Sequence, residues 1–148
     1  MRAAEREFTS LDEELRLVTL YLAIQEKRFP ERLAFNLDIE ESCGRLRVPS
    51  LLLQPVIENV IKHVVSHTTG KTSLTVWARV ENGALSIGVE DNGPQLDSGT
   101  IKQGEGLRIV RETLALHYGK KANVIFESTG DGGRVTISLP CHSALASS

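Results

Sequence analysis

The chain has 148 residues, of which 41% are hydrophobic, and a formal net charge of -2. This length and hydrophobic content are typical of one globular domain with a real core. The weak negative charge argues against a nucleic-acid or membrane surface, and no apolar run approaches the roughly 18 residues of a spanning helix. Cys43 and Cys141 have no metal-ligand spacing, which favours a reducing compartment over a disulfide framework. We therefore expect a cytoplasmic domain with no nucleic-acid or membrane contact.

The first predicted helix begins after Ser10. The segment from Ser10 to Glu13 fits a capping box, in which the hydroxyl and the carboxylate each satisfy an unpaired backbone amide. Pro30 ends the helix, because proline cannot continue it. The predicted apolar stripe consists of Leu11, Leu15, Val18 and Leu22. The residues expected to stay solvated are Glu13, Glu14, Arg16 and 25–28.

A strand and a second helix follow. Alternation of Leu33, Phe35, Leu37 and Ile39 predicts a half-buried strand. After a loop over 40–47, helical spacing in the stretch 48–65 predicts a helix, and Pro55 either kinks it or marks the start of its regular part. The apolar positions of this helix are Leu53, Ile57, Val60 and Val64.

The second helix also carries a polar face. Asn59, Lys62 and His63 fall together there, because residues three and four apart are neighbours on a helix. An ordinary surface pair of Glu58 with Lys62 beside a solvated histidine is the alternative explanation.

The second half of the chain predicts two antiparallel strand pairs around a third helix. Asn82-Gly83 indicates a hairpin between the first two strands, and the second of these runs into Asp91. The third helix follows a loop over 96–103, and Gly119 is its expected C-cap. Two last strands, joined by a turn over 130–133, precede a tail at 143–148 that is expected to be disordered. The apolar face of the third helix consists of Leu107, Val110 and Leu114.

This order of elements predicts an α+β fold. Helices and mainly antiparallel strands in the order αβαββαββ favour a two-layer sandwich, with the helices packed on one face of a mixed sheet.

Three short segments carry possible chemistry. Gly104 and Gly106, at a helix start, can present backbone amides to phosphate oxygens. Asp91, at a strand end, can accept a hydrogen bond from an exocyclic amine, and Gly93 leaves room for a flat ring. Asn59 offers an amide oxygen suited to Mg²⁺. Each of the two glycine-containing segments is, by itself, more often a plain turn.

Together and in this order, the segments resemble the motifs of the GHKL, or Bergerat-fold, ATPases. The segment Glu58-Asn-Val-Ile-Lys-His63 is similar to the N box, Asp91-Asn-Gly93 to the first glycine box and Gly104-Glu-Gly-Leu107 to the second. Within that superfamily the chain is most similar to the ATP-binding domains of LytS-like sensor histidine kinases. The similarity extends from about residue 11 to residue 140. It includes Leu51-Leu-Leu-Gln-Pro-Val-Ile-Glu-Asn59 and, on the first helix, the pairs Glu14-Leu15, Tyr21-Leu22 and Arg28-Phe29.

The resemblance implies that ATP and Mg²⁺ bind here. Asn59 would hold Mg²⁺, Asp91 would receive the adenine amino group, and Lys62 and His63 would lie near the phosphates. The turn from Gly104 through Gly106 to Leu107 would cradle the phosphates beneath a lid over 96–103. Glu58 takes the position of the general base in hydrolysing relatives, and in a kinase it would support positioning.

The resemblance also implies a longer protein. Residues 1–9 would be a linker, 10–140 the catalytic domain and 141–148 a tail. None of the four histidines lies in the context of a phosphoacceptor, so the acceptor would lie on an upstream dimerisation segment of a membrane-anchored, homodimeric sensor. A response regulator would be the further partner.

Three departures from the family pattern leave alternatives open. Gln95 replaces a usual glycine, Ile109 a frequent asparagine and Gly133 a frequent threonine. Gln95 and Ile109 support a degenerate module that binds nucleotide weakly or not at all and acts through protein contacts. A third alternative is an ATPase that hydrolyses ATP with Glu58 as its base.

Overall fold

The computed structural model describes residues 7–93 and 105–141. Three α-helices are present in this part: α1 (Leu11–Arg28), α2 (Gln54–His63) and α3 (Glu105–Tyr118). The strands are β1 (Phe8–Ser10), β2 (Leu33–Ile39), β3 (Arg47–Pro49), β4 (Thr72–Glu81), β5 (Ala84–Asp91), β6 (Asn123–Ser128) and β7 (Gly133–Pro140). Short 3-10 turns cover Glu41–Cys43, Val65–His67 and Gly119–Lys121. Gln95, the predicted lid over 96–103, Gly104 and the predicted tail lie outside the described residues.

Five strands form one mixed sheet in the order β2-β4-β5-β7-β6. Only β2 and β4 pair in parallel among these strands, and the other neighbours are antiparallel. Asn82 and Gly83 join β4 to β5 with φ angles of 51° and 76°, the left-handed conformation that a two-residue hairpin requires. The predicted α+β class and this hairpin are confirmed.

The core lies between one face of the sheet and the helices. Alternate residues of β4 and β5 point into it, because successive side chains of a strand face opposite sides. Those residues include Leu74, Val76, Ala78, Leu85, Ile87 and Val89, all buried. The predicted stripes of all three helices are buried as well. Gly119 adopts a φ of 60° directly after α3, as expected of a glycine C-cap.

A second, small sheet was not predicted. Strands β1 and β3 are three residues long and pair antiparallel, with Thr9 opposite Val48. Segments this short carry no alternation to reveal them, and their partner lies about 40 positions away in the chain. This pairing places the start of α1 beside the segment that leads into α2.

The predicted cap of α1 is present in part. The Ser10 hydroxyl accepts a hydrogen bond from the Glu13 amide at 3.1 Å, whereas the Glu13 carboxylate bonds the Arg16 guanidinium. The prediction that Glu14 and Gln25 stay solvated was wrong. Glu14 is only 1% exposed and Gln25 is 7% exposed. Both lie three residues after a leucine of the apolar stripe, on the face that packs inwards.

Glu14 caps α2 from a distance in sequence. Its two carboxylate oxygens accept hydrogen bonds from the backbone amides of Leu51 at 3.0 Å and Leu53 at 2.8 Å. The N-cap residue of α2, Leu53, provides no side-chain hydrogen bond of its own. Unpaired amides at a helix start need such an acceptor, so this buried carboxylate fixes the start of the helix that carries Asn59.

Candidate functional site

Helix α2 presents the polar residues of the predicted N-box. Pro55 lies in its first turn, where the missing backbone donor costs nothing. Of the two predictions for Pro55, a kink or the start of the regular helix, the structure therefore agrees with the second. Lys62 and His63 lie in the last turn, where positive charge interacts favourably with the helix dipole. The Glu58 carboxylate is exposed and accepts a hydrogen bond from Gln54 at 3.0 Å.

A cavity of about 270 Å³ lies along this polar face and reaches the start of α3. Its lining residues are Pro55, Glu58, Asn59, Lys62, His63, Gly106 and Ile109. Four predicted residues of α2 and one predicted glycine of α3 therefore share one cavity. Asn59 is 6% exposed, whereas Lys62 at the rim is exposed.

Gly106 is required at the contact between α3 and α2. A β-carbon at this position would lie 2.2 Å from the Pro55 carbonyl oxygen and 3.3 Å from the Asn59 β-carbon. The first amides of a helix lack intrahelical acceptors and favour anions, and Gly106 lies in the first turn of α3. Leu107 is fully buried, so its side chain belongs to the core and only its backbone could contact a ligand.

Asp91 ends β5 on the face of the sheet that is covered by helices. The residue is 9% exposed, and its Oδ1 accepts a hydrogen bond from the Gly93 amide at 2.9 Å. Burial raises the pKa of the Asp91 carboxyl above its ordinary value, the amides of Gly93 and Gly133 lower it, and the charge of Glu90 raises it again. A carboxylate offers about four lone-pair sites, and the two amides use two of them, so Asp91 retains acceptor capacity for a ligand.

Tight backbone packing holds Asp91 in place. A β-carbon at Gly132 would lie 1.9 Å from the Asp91 carbonyl oxygen. The Asn92 side chain accepts a hydrogen bond from the Ser73 amide at 2.6 Å. The sequence predicted Gly132 only as a turn residue and Asn92 only as part of the first glycine-box segment, because their role depends on contacts between segments far apart in the chain.

Gly93 connects the Asp91 end of the sheet to α2. A β-carbon on Gly93 would lie 2.2 Å from the Val64 Cγ1 atom, at the C-cap of α2. From Asn59 to Val64 a helix advances about 7.5 Å. A ligand that reaches from Asp91 to Asn59 would therefore lie along α2, with its other end near Gly106.

The donor set near Asn59 fits a hard cation that is held mainly by its substrate. Mg²⁺ takes oxygen ligands and usually keeps several waters, with one or two protein ligands and substrate phosphates. Asn59 can supply an amide oxygen to such a shell. The described residues contain no group of three or more His, Cys, Asp or Glu side chains placed to hold a metal ion on their own.

The fold is shared with histidine kinase catalytic domains of known structure. The catalytic domain of the histidine kinase ThkA superposes with a TM-score of 0.68 at 16% identity, over 90% of this chain and 94% of that chain. The Acinetobacter baumannii histidine kinase AdeS gives a TM-score of 0.67 at 15% identity, over 90% of this chain and 67% of that chain. At this identity the likeness concerns the fold alone.

The sequence matches the family described as histidine kinase-, DNA gyrase B- and HSP90-like ATPase over residues 49–143. The chain belongs to this family, as the predicted resemblance to the GHKL ATPases implied. It is 33% identical over 142 residues to the sensor histidine kinase YesM of Bacillus subtilis, over 93% of this chain and 25% of YesM. It is 30% identical over 154 residues to the sensor protein LytS of Staphylococcus haemolyticus, over 96% of this chain and 26% of LytS.

The chain spans about a quarter of the length of these curated relatives. Across the described ranges 7–93 and 105–141, none of the helices has the length and hydrophobicity needed to cross a bilayer.

Proposed function

We propose that this domain, over residues 10–140, binds Mg·ATP and is the catalytic domain of a sensor histidine kinase. It would transfer the γ-phosphoryl group to a histidine on a dimerisation segment of a longer, homodimeric, membrane-anchored protein. The domain itself would work in the cytoplasm, and a response regulator would receive the phosphoryl group. The similarity to YesM and LytS supports this assignment.

The observation that carries the proposal is the convergence on α2 of residues from three parts of the chain. Asn59 and Gly106 line one cavity, while Gly93 packs against the far end of the same helix beside Asp91. A buried acceptor, a hard-cation ligand and a glycine at a helix start match the base, the metal and the phosphates of one nucleotide.

Each residue would have a distinct role in binding. Asp91 would accept a hydrogen bond from the adenine amino group, and Asn59 would ligate Mg²⁺. Lys62, His63 and the first amides of α3 would offset phosphate charge from opposite sides of the cavity. Bound Mg²⁺ would neutralise charge on the phosphate oxygens.

The transfer itself demands placement more than covalent chemistry. The imidazole nitrogen of the acceptor histidine would form a bond to the γ-phosphorus as the bond to the β,γ-bridging oxygen breaks and ADP leaves. Charge spreads over the phosphoryl oxygens in this reaction, so fixed positive groups accelerate it. Glu58 would support the position of the reactants from the rim of the cavity.

Calorimetric titration with Mg·ADP and Mg·GDP tests the nucleotide site. We expect wild-type protein to bind Mg·ADP more tightly, Asp91→Ala to lose the preference for adenine, and Asn59→Ala to bind ADP with little dependence on Mg²⁺. Asp38→Asn on the edge strand β2 and Asn123→Ala on β6 are the matched controls. If Asp91→Ala keeps the adenine preference, the base-reading role is wrong.

One observation favours a second candidate, a degenerate module that acts through protein contacts. Ile109 is 40% exposed and places apolar surface in the cavity that contains Asn59. Absence of detectable heat at millimolar Mg·ADP would favour this candidate. For a working site, Ile109→Asn should instead raise nucleotide affinity about threefold by adding a polar group. Leu116→Asn, an exposed change on the same helix outside the cavity, is its control.

ATP hydrolysis with Glu58 as the base is tested separately. Steady phosphate release by the isolated domain, abolished in Glu58→Ala, would support it. A kinase domain should release little phosphate alone, and Glu58→Ala should then change nucleotide affinity only slightly.

A further inference from the structure

Thr72, the first residue of β4, has a buried hydroxyl with no hydrogen-bond partner among the described residues. The residue is completely buried. Its backbone amide donates to the Arg32 carbonyl at 2.9 Å, so the backbone donor has a partner and the hydroxyl has none. A buried hydroxyl without a partner is unfavourable. Such an atom beside a candidate site is therefore a reason to look for a ligand.

The strand register places this hydroxyl beside Asp91. Leu74 lies opposite Asp91 in the antiparallel pair of β4 and β5. Thr72 lies two residues before Leu74, and residues two apart face the same side of a strand. Thr72 and Asp91 therefore both point to the face that the helices cover, at the end of the sheet where Gly93 follows β5.

Distances around Gly93 support this placement. A β-carbon built on Gly93 would lie 3.3 Å from the Thr72 Oγ1 atom and 3.4 Å from the Asp91 Oδ1 atom. The two oxygens thus adjoin the same backbone position. Gly133, whose amide also lies near the Asp91 carboxylate, brings no hydroxyl. Among the described residues that adjoin Gly93, Thr72 adds a hydroxyl that can both donate and accept a hydrogen bond.

We propose that Thr72 is a second base-binding residue, whose hydroxyl binds the purine edge beside the amino group that Asp91 binds, directly or through one ordered water. This inference rests on the proposed nucleotide site. Asp91 accepts from an exocyclic amine, and the adjacent ring nitrogen of adenine is an acceptor that the hydroxyl can satisfy. A hydroxyl can donate or accept. Thr72 therefore adds affinity for the purine ring, whereas Asp91 sets the choice of base.

The test compares Thr72→Val with Thr72→Ser in the complete chain, by calorimetry with Mg·ADP and Mg·GDP and by thermal melting. Valine keeps the shape of threonine and removes the hydroxyl. We expect Thr72→Val to weaken Mg·ADP binding about five- to tenfold, with an unchanged ratio of ADP to GDP affinity. Its melting temperature should equal or exceed that of the wild type, because the unpartnered hydroxyl is gone. Thr72→Ser should bind nearly as well as the wild type.

Thr75→Val is the matched control on the same strand. The Thr75 hydroxyl donates to the Asn36 side chain at 2.9 Å on the other face of the sheet, so its loss should not change nucleotide affinity. Wild-type affinity in Thr72→Val would overturn the role of Thr72 and leave the nucleotide site intact. A much lower melting temperature in Thr72→Val would also contradict it, because the hydroxyl would then have a partner in the free fold. Absence of Mg·ADP binding by the wild type would overturn the nucleotide site, and the Thr72 role with it.

Discussion

Glu14 and Asp91 are both buried carboxylates that accept hydrogen bonds from backbone amides, yet their surroundings differ. Each oxygen of Glu14 accepts from an amide at the start of α2, those of Leu51 and Leu53. Asp91 adjoins a glycine that touches the end of α2, and an unpartnered hydroxyl lies nearby. Both carboxyls have a pKa raised chiefly by burial. A carboxylate enclosed by backbone amides stabilises a helix, whereas one with remaining acceptor capacity beside a glycine is suited to bind a ligand.

The largest expected effect is on stability, at Glu14. Glu14→Ala leaves the buried amides at the start of α2 without an acceptor, and should lower the free energy of unfolding by about 3 kcal/mol. Urea unfolding measures this change. Glu13→Ala, one position earlier and on the surface, should have little effect, since its partner Arg16 is 61% exposed. Equal stability of the two variants would show that the hydrogen bonds of Glu14 do not stabilise the start of α2.

Asp91 should behave in the opposite way. Asp91→Asn keeps the shape of the side chain but removes the charge and half of its acceptor capacity. We expect nucleotide affinity to fall about 30-fold, or about 2 kcal/mol. Stability should change far less than in Glu14→Ala. Calorimetry and urea unfolding on the same samples separate the two quantities. Large loss of stability with unchanged affinity would assign Asp91 a structural role.

The Gly106→Ala variant tests whether α2 must pack closely against α3. This contact lies along α2 between its start, near Glu14, and its end, near Asp91. In Gly106→Ala the new β-carbon would meet the Pro55 carbonyl oxygen at 2.2 Å, so the helices must separate. Overpacking outweighs the better helix propensity of alanine, and we expect a loss of about 1–2 kcal/mol in stability together with weaker binding. Gly70→Ala, where the nearest atom lies at 3.8 Å, is the control and should be neutral. Unchanged stability and nucleotide affinity in Gly106→Ala would show that the close contact between α2 and α3 is not needed.

The pH dependences of stability and of nucleotide binding should distinguish Glu14 from Asp91, with the smallest expected effects. Raised pKa values mean that burial favours the protonated forms. The pH-dependent part of the stability that Glu14 and Asp91 contribute is thus fully present below their ordinary pKa and is lost as the pH rises through their raised values. Nucleotide binding should increase as the pH rises through the raised pKa of Asp91, because the ionised form is the better acceptor. Asp91→Asn should flatten the binding profile, and Glu14→Gln should flatten part of the stability profile.

Much of the fold could be predicted because local signals determine it. Alternation and the Asn82-Gly83 turn define the hairpin, and helical spacing defines α2. The family motifs indicated the residues of the cavity on α2. Predictions were wrong or incomplete where the partner lies far away in the chain. The amides that enclose Glu14 belong to residues 37 and 39 positions later.

Two missed residues had signals in the sequence. Glu14 lies three residues after Leu11 and four before Val18, so helical spacing alone places it on the buried stripe. Thr72 continues the alternation of Leu74 and Val76 by one further step. Each polar residue occupies a position expected to be apolar. Its burial follows from that position, while its partner or lack of one is visible only in the folded chain.

We propose that one nucleotide reaches from Asp91 to Asn59 along α2. An NMR titration of the isotope-labelled domain with Mg·ADP tests it most directly, by following the Gly93 backbone amide and the Asn59 side-chain amide. Both signals should shift with a single Kd, while the Leu51 and Leu53 amides at Glu14 stay in place. Different Kd values for Gly93 and Asn59, or a shift confined to the amides at Glu14, would contradict the claim.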